Sequence, residues 1–234
     1  MSMTQEGGIS RMEKVVDTLR SKGCMKQDVY GQVQDLFARL KTQLKTINDQ
    51  LREACAADDR LVVSFIDHGE TSCELRVAGD VIIFSMHTNV FKLEQGHALW
   101  KSGYLEEDGM RGYFGLINMY NFLSDSLRFN RERDLGYLVA RLFINKEGHF
   151  LVQGKRQLGF LFSDLQSNEM DDARLREVLL TVVDHVIEFD LLVPPYDQVD
   201  QITVTDIKEL YANRPLSTGK RLGFRFQADT DDLT

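Results

Sequence analysis

Residues 137–152 read YLVARLFINKEGHFLV, and their alternation decides the fold. Leu138, Ala140, Leu142 and Ile144 alternate with Tyr137, Val139, Arg141 and Phe143. Asn145-Lys146-Glu147-Gly148 interrupts the run, and Phe150 and Val152 resume it. A period of two on either side of a short break ending in Gly is the pattern of a β-hairpin. This hairpin is expected at the centre of an antiparallel sheet.

Toward the N-terminus the same period recurs. Leu61, Val63 and Phe65 mark one strand over 60–67, and His68-Gly69-Glu70 a turn. Cys73, Leu75 and Val77 mark a second strand, and Gly79-Asp80 a tight reversal. Val81-Ile82-Ile83-Phe84 is apolar on both faces and predicts a central third strand. Residues 89–111 predict a loop with one helical turn, crossing one face of the sheet. GYFGLINMYNF over 112–122 predicts another strand, and 155–162 an extension of the hairpin. LGFLF at 158–162 and LGFRF at 222–226 read as two similar edge strands.

Helices flank this section. Ser10 with Glu13 has the capping-box spacing before Met12, Val15, Val16 and Leu19, and Gly23 is expected to end that helix. Val29, Val33, Leu36, Leu40, Leu44, Ile47 and Leu51 then recur at steps of three and four, predicting one long helix from Lys26 to Ala56. Its stripe suits either the sheet or a second copy. Leu175, Val178, Leu179, Val182 and Val186 predict a helix over 171–189 capped by Asp171 or Asp172. Near the C-terminus, 201–205 reads as a strand and 206–212 as a short helix. The order of elements is that of an α+β fold: an antiparallel meander of about six strands, with a long N-terminal helix and a C-terminal helix packed on it. Residues 1–56 form the helical segment and 57–234 the sheet domain, together one unit.

Composition narrows the function classes. The formal charge of −8 disfavours nucleic acid and anionic membrane surfaces as partners. Cys24, Cys55 and Cys73 are odd in number with no CxxC, which fits reduced thiols in a cytoplasmic protein rather than a disulfide frame. MSMTQEGGIS lacks the apolar core of a signal peptide, and residues 1–9 read as a frayed leader.

The chemical motifs are sparse. Asp67, His68 and Glu70 combine two carboxylates and an imidazole able to ligate a metal, and equally form a polar turn. Asp206-Ile207-Lys208 after Ile202 and Val204, with Asp80, is a faint form of the acid–lysine pattern of metal-dependent nucleases. Gly219-Lys220 lacks the upstream glycine of a phosphate loop. Cys73 and His87 lie on neighbouring strands, where a nucleophile–base pair is conceivable. Arg128, Arg131, Arg133, Lys155 and Arg156 form a basic group interleaved with Glu132 and Asp134. Trp100, Tyr104, Tyr113 and Tyr120 belong to an aromatic-rich stretch that could line a pocket over 89–122, with Arg128 and Arg131 as anion contacts.

The reading that follows is a cytoplasmic, non-enzymatic interaction or regulatory module without a cofactor, engaging a protein partner or a second copy through the long helix. The alternatives are a small-ligand sensor with its pocket at 89–122, and a metal-dependent hydrolase or nuclease.

Overall fold

In the computed structural model the 137–152 hairpin lies at one edge of a seven-stranded antiparallel sheet and not at its centre, because the strands over 80–86 and 113–123 pair between it and the first two strands and so take the middle. The structure describes residues 10–211 apart from Arg133, Arg156, Leu192, Pro194 and Val199. The expected leader at 1–9, the second edge strand at 222–226 and the Gly219-Lys220 pair lie outside the described residues.

The strands are β1 (Val63–Asp67), β2 (Ser72–Val77), β3 (Asp80–Met86), β4 (Phe91–Lys92), β5 (Tyr113–Leu123), β6 (Tyr137–Ile144) and β7 (Phe150–Gly154). They lie in the order β1-β2-β3-β5-β6-β7, with β4 paired to the start of β5. The α+β architecture of a long N-terminal helix over an antiparallel meander is therefore as the alternation requires. The second reversal falls at Ala78-Gly79, one residue earlier than the expected Gly79-Asp80. Asp80 already pairs with Val77, and its carboxylate accepts a 2.9 Å hydrogen bond from Asn121 Nδ2. Ala78 takes the left-handed conformation that the turn needs, at φ 51°.

Two helices cover the inner face. Helix α1 (Arg11–Thr18) opens with the expected box, Ser10 Oγ accepting the Glu13 N–H at 3.1 Å and Glu13 accepting the Ser10 N–H at 2.6 Å. Gly23 does not end this helix. The chain runs through a π-turn, Leu19–Gly23, directly into α2 (Cys24–Ala54). A glycine inside a helix costs only about 1 kcal/mol, and the apolar stripe that starts at Met25 outweighs it. Val29, Val33, Leu36, Leu40, Leu44 and Ile47 are all at most 1 % exposed. The stripe thus lies on the sheet, and a second copy has no access to it. Helix α6 (Asp172–Ile187), capped by Asp171, buries Leu175, Val178, Leu179, Val182 and Val186 on the same face.

One glycine sets how close α2 approaches. A Cβ on Gly115 would stand 2.5 Å from Val33 Cβ, so only glycine lets β5 meet the helix there. The same-face row Cys73, Phe84, Met119 and Ala140 crosses four strands beneath the helices.

The 155–162 stretch departs from its alternation. It forms a short helix, α5 (Gln157–Leu161), instead of a strand. Gly159 packs on the Gly154 carbonyl, where a Cβ would meet oxygen at 2.5 Å, and Leu158 and Phe162 drop into the core. The following loop returns along β7: Phe150 donates to Asn168 O at 2.9 Å and Val152 to Phe162 O at 3.0 Å. That edge of the sheet is closed. Residues 201–203 form no strand, and helix α7 (Val204–Tyr211) begins before the expected start at 206. No described helix is long and apolar enough to cross a membrane.

The excursion at 89–112 carries more structure than a single turn. After β4 come a 3-10 turn (Ala98–Lys101), helix α3 (Gly103–Glu107) and a second 3-10 turn (Gly109–Gly112).

Leu40→Ala is expected to lower stability by about 2–5 kcal/mol, because a fully buried leucine leaves a cavity. Gly115→Ala should cost about 1–3 kcal/mol by overpacking against Val33. Urea unfolding followed by circular dichroism measures both. An unchanged midpoint in either variant would contradict this packing.

Candidate ligand-binding site

The residues singled out by sequence scatter to different places. Asp67 closes β1, and its carboxylate accepts from Lys41 Nζ at 3.2 Å and from the Gly69 N–H at 3.0 Å. The Gly69 N–H, with Lys41 beside it, holds the Asp67 carboxyl below the usual carboxylate range. His68 turns to Glu74, with Nε2 2.9 Å from the carboxylate, and Glu70 is exposed. Among the described residues no three His, Cys, Asp or Glu side chains are grouped to hold a metal ion.

Cys73 is buried in the inner core, and burial pushes its thiol up to about 12. A thiol so protonated is a poor nucleophile. His87 is occupied elsewhere, its Nδ1 accepting the Asn89 N–H at 3.0 Å and its ring set edge-on to Phe91. Asp206 and Lys208 fall in α7 with no strand before them, so the nuclease-like pattern loses its context.

The basic group serves its own turn. Helix α4 (Ser124–Arg128) is followed by Arg131, whose Nη1 stands 3.6 Å from the buried carboxylate of Asp134. Arg128 and Arg131 both lie over the Phe129 ring, at 5.2 and 5.6 Å. Arg133 and Arg156 lie outside the described residues.

The aromatic residues divide between the two faces of the sheet. Tyr113 packs with Met25 and Val29 on the helix side, and Tyr120 is half-buried between Ile83 and Leu138 on the opposite, outer face. Trp100 and Tyr104 come together in the excursion, in one apolar cluster with Leu93, Leu99, Phe114, Phe143 and Leu151. The outer end of the Trp100 ring rests on Gly112, where a Cβ would be 2.4 Å from it, and its Nε1 donates to Glu94 O at 2.7 Å.

Polar contacts fasten this excursion to the turn of the β6–β7 hairpin. Buried Asn145 donates from Nδ2 to Tyr104 Oη at 2.9 Å, while its Oδ1 accepts the N–H groups of Glu147 and His149. Tyr104 donates to Glu147 at 2.9 Å, and Arg111 bridges Glu147 and Glu107. Lys146 pairs with Asp108 at 2.5 Å. Burial pushes the Tyr104 hydroxyl up to about 12. Burial works against the charge of Glu147, but hydrogen bonds from Arg111 and Tyr104 prevail and hold its carboxyl below the usual range. The Lys146 hydrogen bond does the same for Asp108.

Between the fastened ends the excursion stands off the sheet. A cavity of about 1000 Å³ lies there, against about 580 and 410 Å³ for two grooves elsewhere on the surface. Its floor is the outer face of β5, β6 and β7, with Phe114, Leu116, Arg141, Phe143, Leu151 and Gln153. Its roof is Phe91, Leu93, His97, Leu99 and Ser102. Volume and lining match a small-molecule pocket, mostly apolar with few polar groups.

Trp100 and Tyr104 support the roof from behind rather than line the space. Arg141, Phe143 and Gln153 were not singled out by motif. The one signal for them was in the hairpin: alternation assigns Arg141 and Phe143 to the face opposite Leu142 and Ile144. The hydroxyls at the cavity are committed to backbone, Ser102 Oγ donating to Leu99 O at 2.6 Å and Ser163 Oγ to Phe160 O at 3.2 Å. His97 Nδ1 accepts the Leu99 N–H at 3.2 Å. No protein-family model, curated protein or solved structure matches the chain.

The fastening makes the roof acid-sensitive. Carboxyls held low in the folded state stabilise it above the ordinary carboxylate range of about 4, and that contribution is lost as pH falls through their folded values. Amide exchange over 98–112 should therefore accelerate on acidification before exchange in β2 and β3 does. Glu147→Gln should show fast exchange over 98–112 already at neutral pH. Uniform protection of all three regions down to the unfolding pH would contradict the fastening.

Proposed function

We propose that the chain is a binding module that receives a small ligand between the excursion and the outer face of β5–β7. The observation that carries this reading is the cavity itself. Its roof is fixed at both ends, by β4 pairing at one and by the Asn145–Glu147 contacts at the other, so the space does not close by simple collapse. Protein interiors leave few voids larger than a water molecule. An apolar space of this size facing solvent is kept at a cost in exposed apolar surface, which a ligand offsets. The commitment of the nearby hydroxyls to backbone carbonyls supports binding without chemistry on the ligand.

The excursion also carries Trp100, the single tryptophan, at the roof. The uncharged dye N-phenylnaphthylamine is expected to bind once per chain, with gain of dye fluorescence and a change in Trp100 emission. Leu151→Trp, which fills the floor, should abolish dye binding at an unchanged urea midpoint. A native protein that leaves the dye in water would refute the reading.

A second reading concerns self-association, and α1 rather than α2 supports it. Met12, Val15 and Leu19 are 70, 56 and 69 % exposed on a well-capped helix that buries no residue. A second copy laid along this stripe would cover it. Sedimentation of the native chain at micromolar concentration should then give a dimer, and Val15→Asp with Leu19→Asp a monomer of equal stability. A native monomer at that concentration would exclude this reading.

A further inference from the structure

We infer that the ligand of this cavity is an apolar carboxylate, its head group held by Arg141 and its body lying along the leucines and phenylalanines of floor and roof. This deepens the binding reading above and rests on it.

The charge pattern carries the inference. Arg141 projects from β6 onto the outer face, opposite Gln153 of β7. One guanidinium nitrogen, Nη2, donates to Gln153 Oε1, and the group lies 5.6 Å from the Phe143 ring. Its Nε–H is shut off from solvent and has no acceptor. Among the described residues no carboxylate pairs with Arg141. A guanidinium beside an aromatic wall, with one neutral partner and most donors unused, is an anion site awaiting its anion.

The sign of the ligand's charge follows from the neighbours. Arg141, Lys92 and Lys101 face one carboxylate, Glu94, around the cavity, and none of the four is in an ion pair. Lys92 also stands over the rings of Trp100 and Tyr113, at 5.4 and 5.8 Å, and keeps its charge there. Three cations against one anion leave the lining positive, which suits an anionic head group. The planar fork of the guanidinium matches the planar carboxylate. That a chain of net charge −8 keeps this cation unpaired at its main cavity runs against its overall balance.

The test compares decanoate, decanol and decyl phosphate on the full chain at neutral pH. Each is measured by calorimetry and by displacement of N-phenylnaphthylamine. Decanoate is expected to bind about 10- to 100-fold more tightly than decanol, the range for a charged hydrogen-bonded contact. Arg141→Met, which keeps the apolar stem, should bring that ratio close to one. Arg141→Lys, which keeps the charge and loses the fork, should fall between. Equal affinity for decanoate and decanol in the native chain overturns the carboxylate inference while dye binding leaves the cavity reading standing. Decyl phosphate binding tenfold more tightly than decanoate overturns it in favour of a phosphate ester. Failure of all three ligands and of the dye overturns both readings together. Should Arg141→Met not fold, the native ratio and the Arg141→Lys ratio still decide.

Discussion

The contact between the apolar stripe of α2 and the inner face of the sheet is the constraint on which the rest depends. Seven apolar residues from Val29 to Ile47 are sealed beneath α2, and Gly115 gives up its side chain so that Val33 can approach. Burial of each such side chain contributes about 1.5–3 kcal/mol. With α6 beside it, α2 uses the whole apolar face of a sheet that is otherwise half polar. The two faces are thereby assigned different tasks. One is core, and the other is free to be covered partly, or not at all.

The outer face is covered only at one end, and the manner of covering produces the cavity. The chain between β3 and β5 packs Leu93, Leu99, Trp100 and Tyr104 over part of the three strands. It is also tied down at its edges. At one edge β4 adds two backbone pairs to β5. At the other, Tyr104, Asn145, Glu147 and Arg111 satisfy one another where the β6–β7 turn protrudes. A roof pinned at its rim, and packed on the sheet through only part of its length, leaves room beneath the rest. The side chains facing that room then alternate with core residues along the same strands. Arg141 faces it because Ala140 and Leu142 face the helices. A binding surface built this way costs the core nothing, since each strand offers both faces at once.

The long helix illustrates a competition between two uses of one pattern. A stripe repeating at three and four residues serves a sheet or a partner helix equally well, and tertiary burial takes nearly all of it. What remains unburied is α1, where the stripe runs past the edge of the sheet. Continuity through Gly23 keeps α1 in line with α2 and holds Met12, Val15 and Leu19 away from the body. The prospect of self-association therefore moves from the middle of the helical run to its beginning.

How much of this was legible depends on the range of the interaction involved. The strands over 63–86 and 137–154, the α2 stripe and α6 were readable because a strand or helix exposes its faces with a fixed local period. The turn glycines and the Ser10 box were readable because their geometry is settled within four residues. The helix at 157–161 was not, because its alternation is overridden by a contact between Gly159 and the Gly154 carbonyl and by the pull of Leu158 and Phe162 into the core. The metal cluster at 67–70 was not, because Asp67 and His68 turn to Lys41 and Glu74, partners that sequence proximity cannot rank. The sequence by itself determined the sheet, its alternation of faces and the helix that covers one of them. Only the tertiary structure decided that the excursion stands off the other face and that Arg141 meets no carboxylate there. Both depend on distances between strands and loops far apart in the chain, which no local period records.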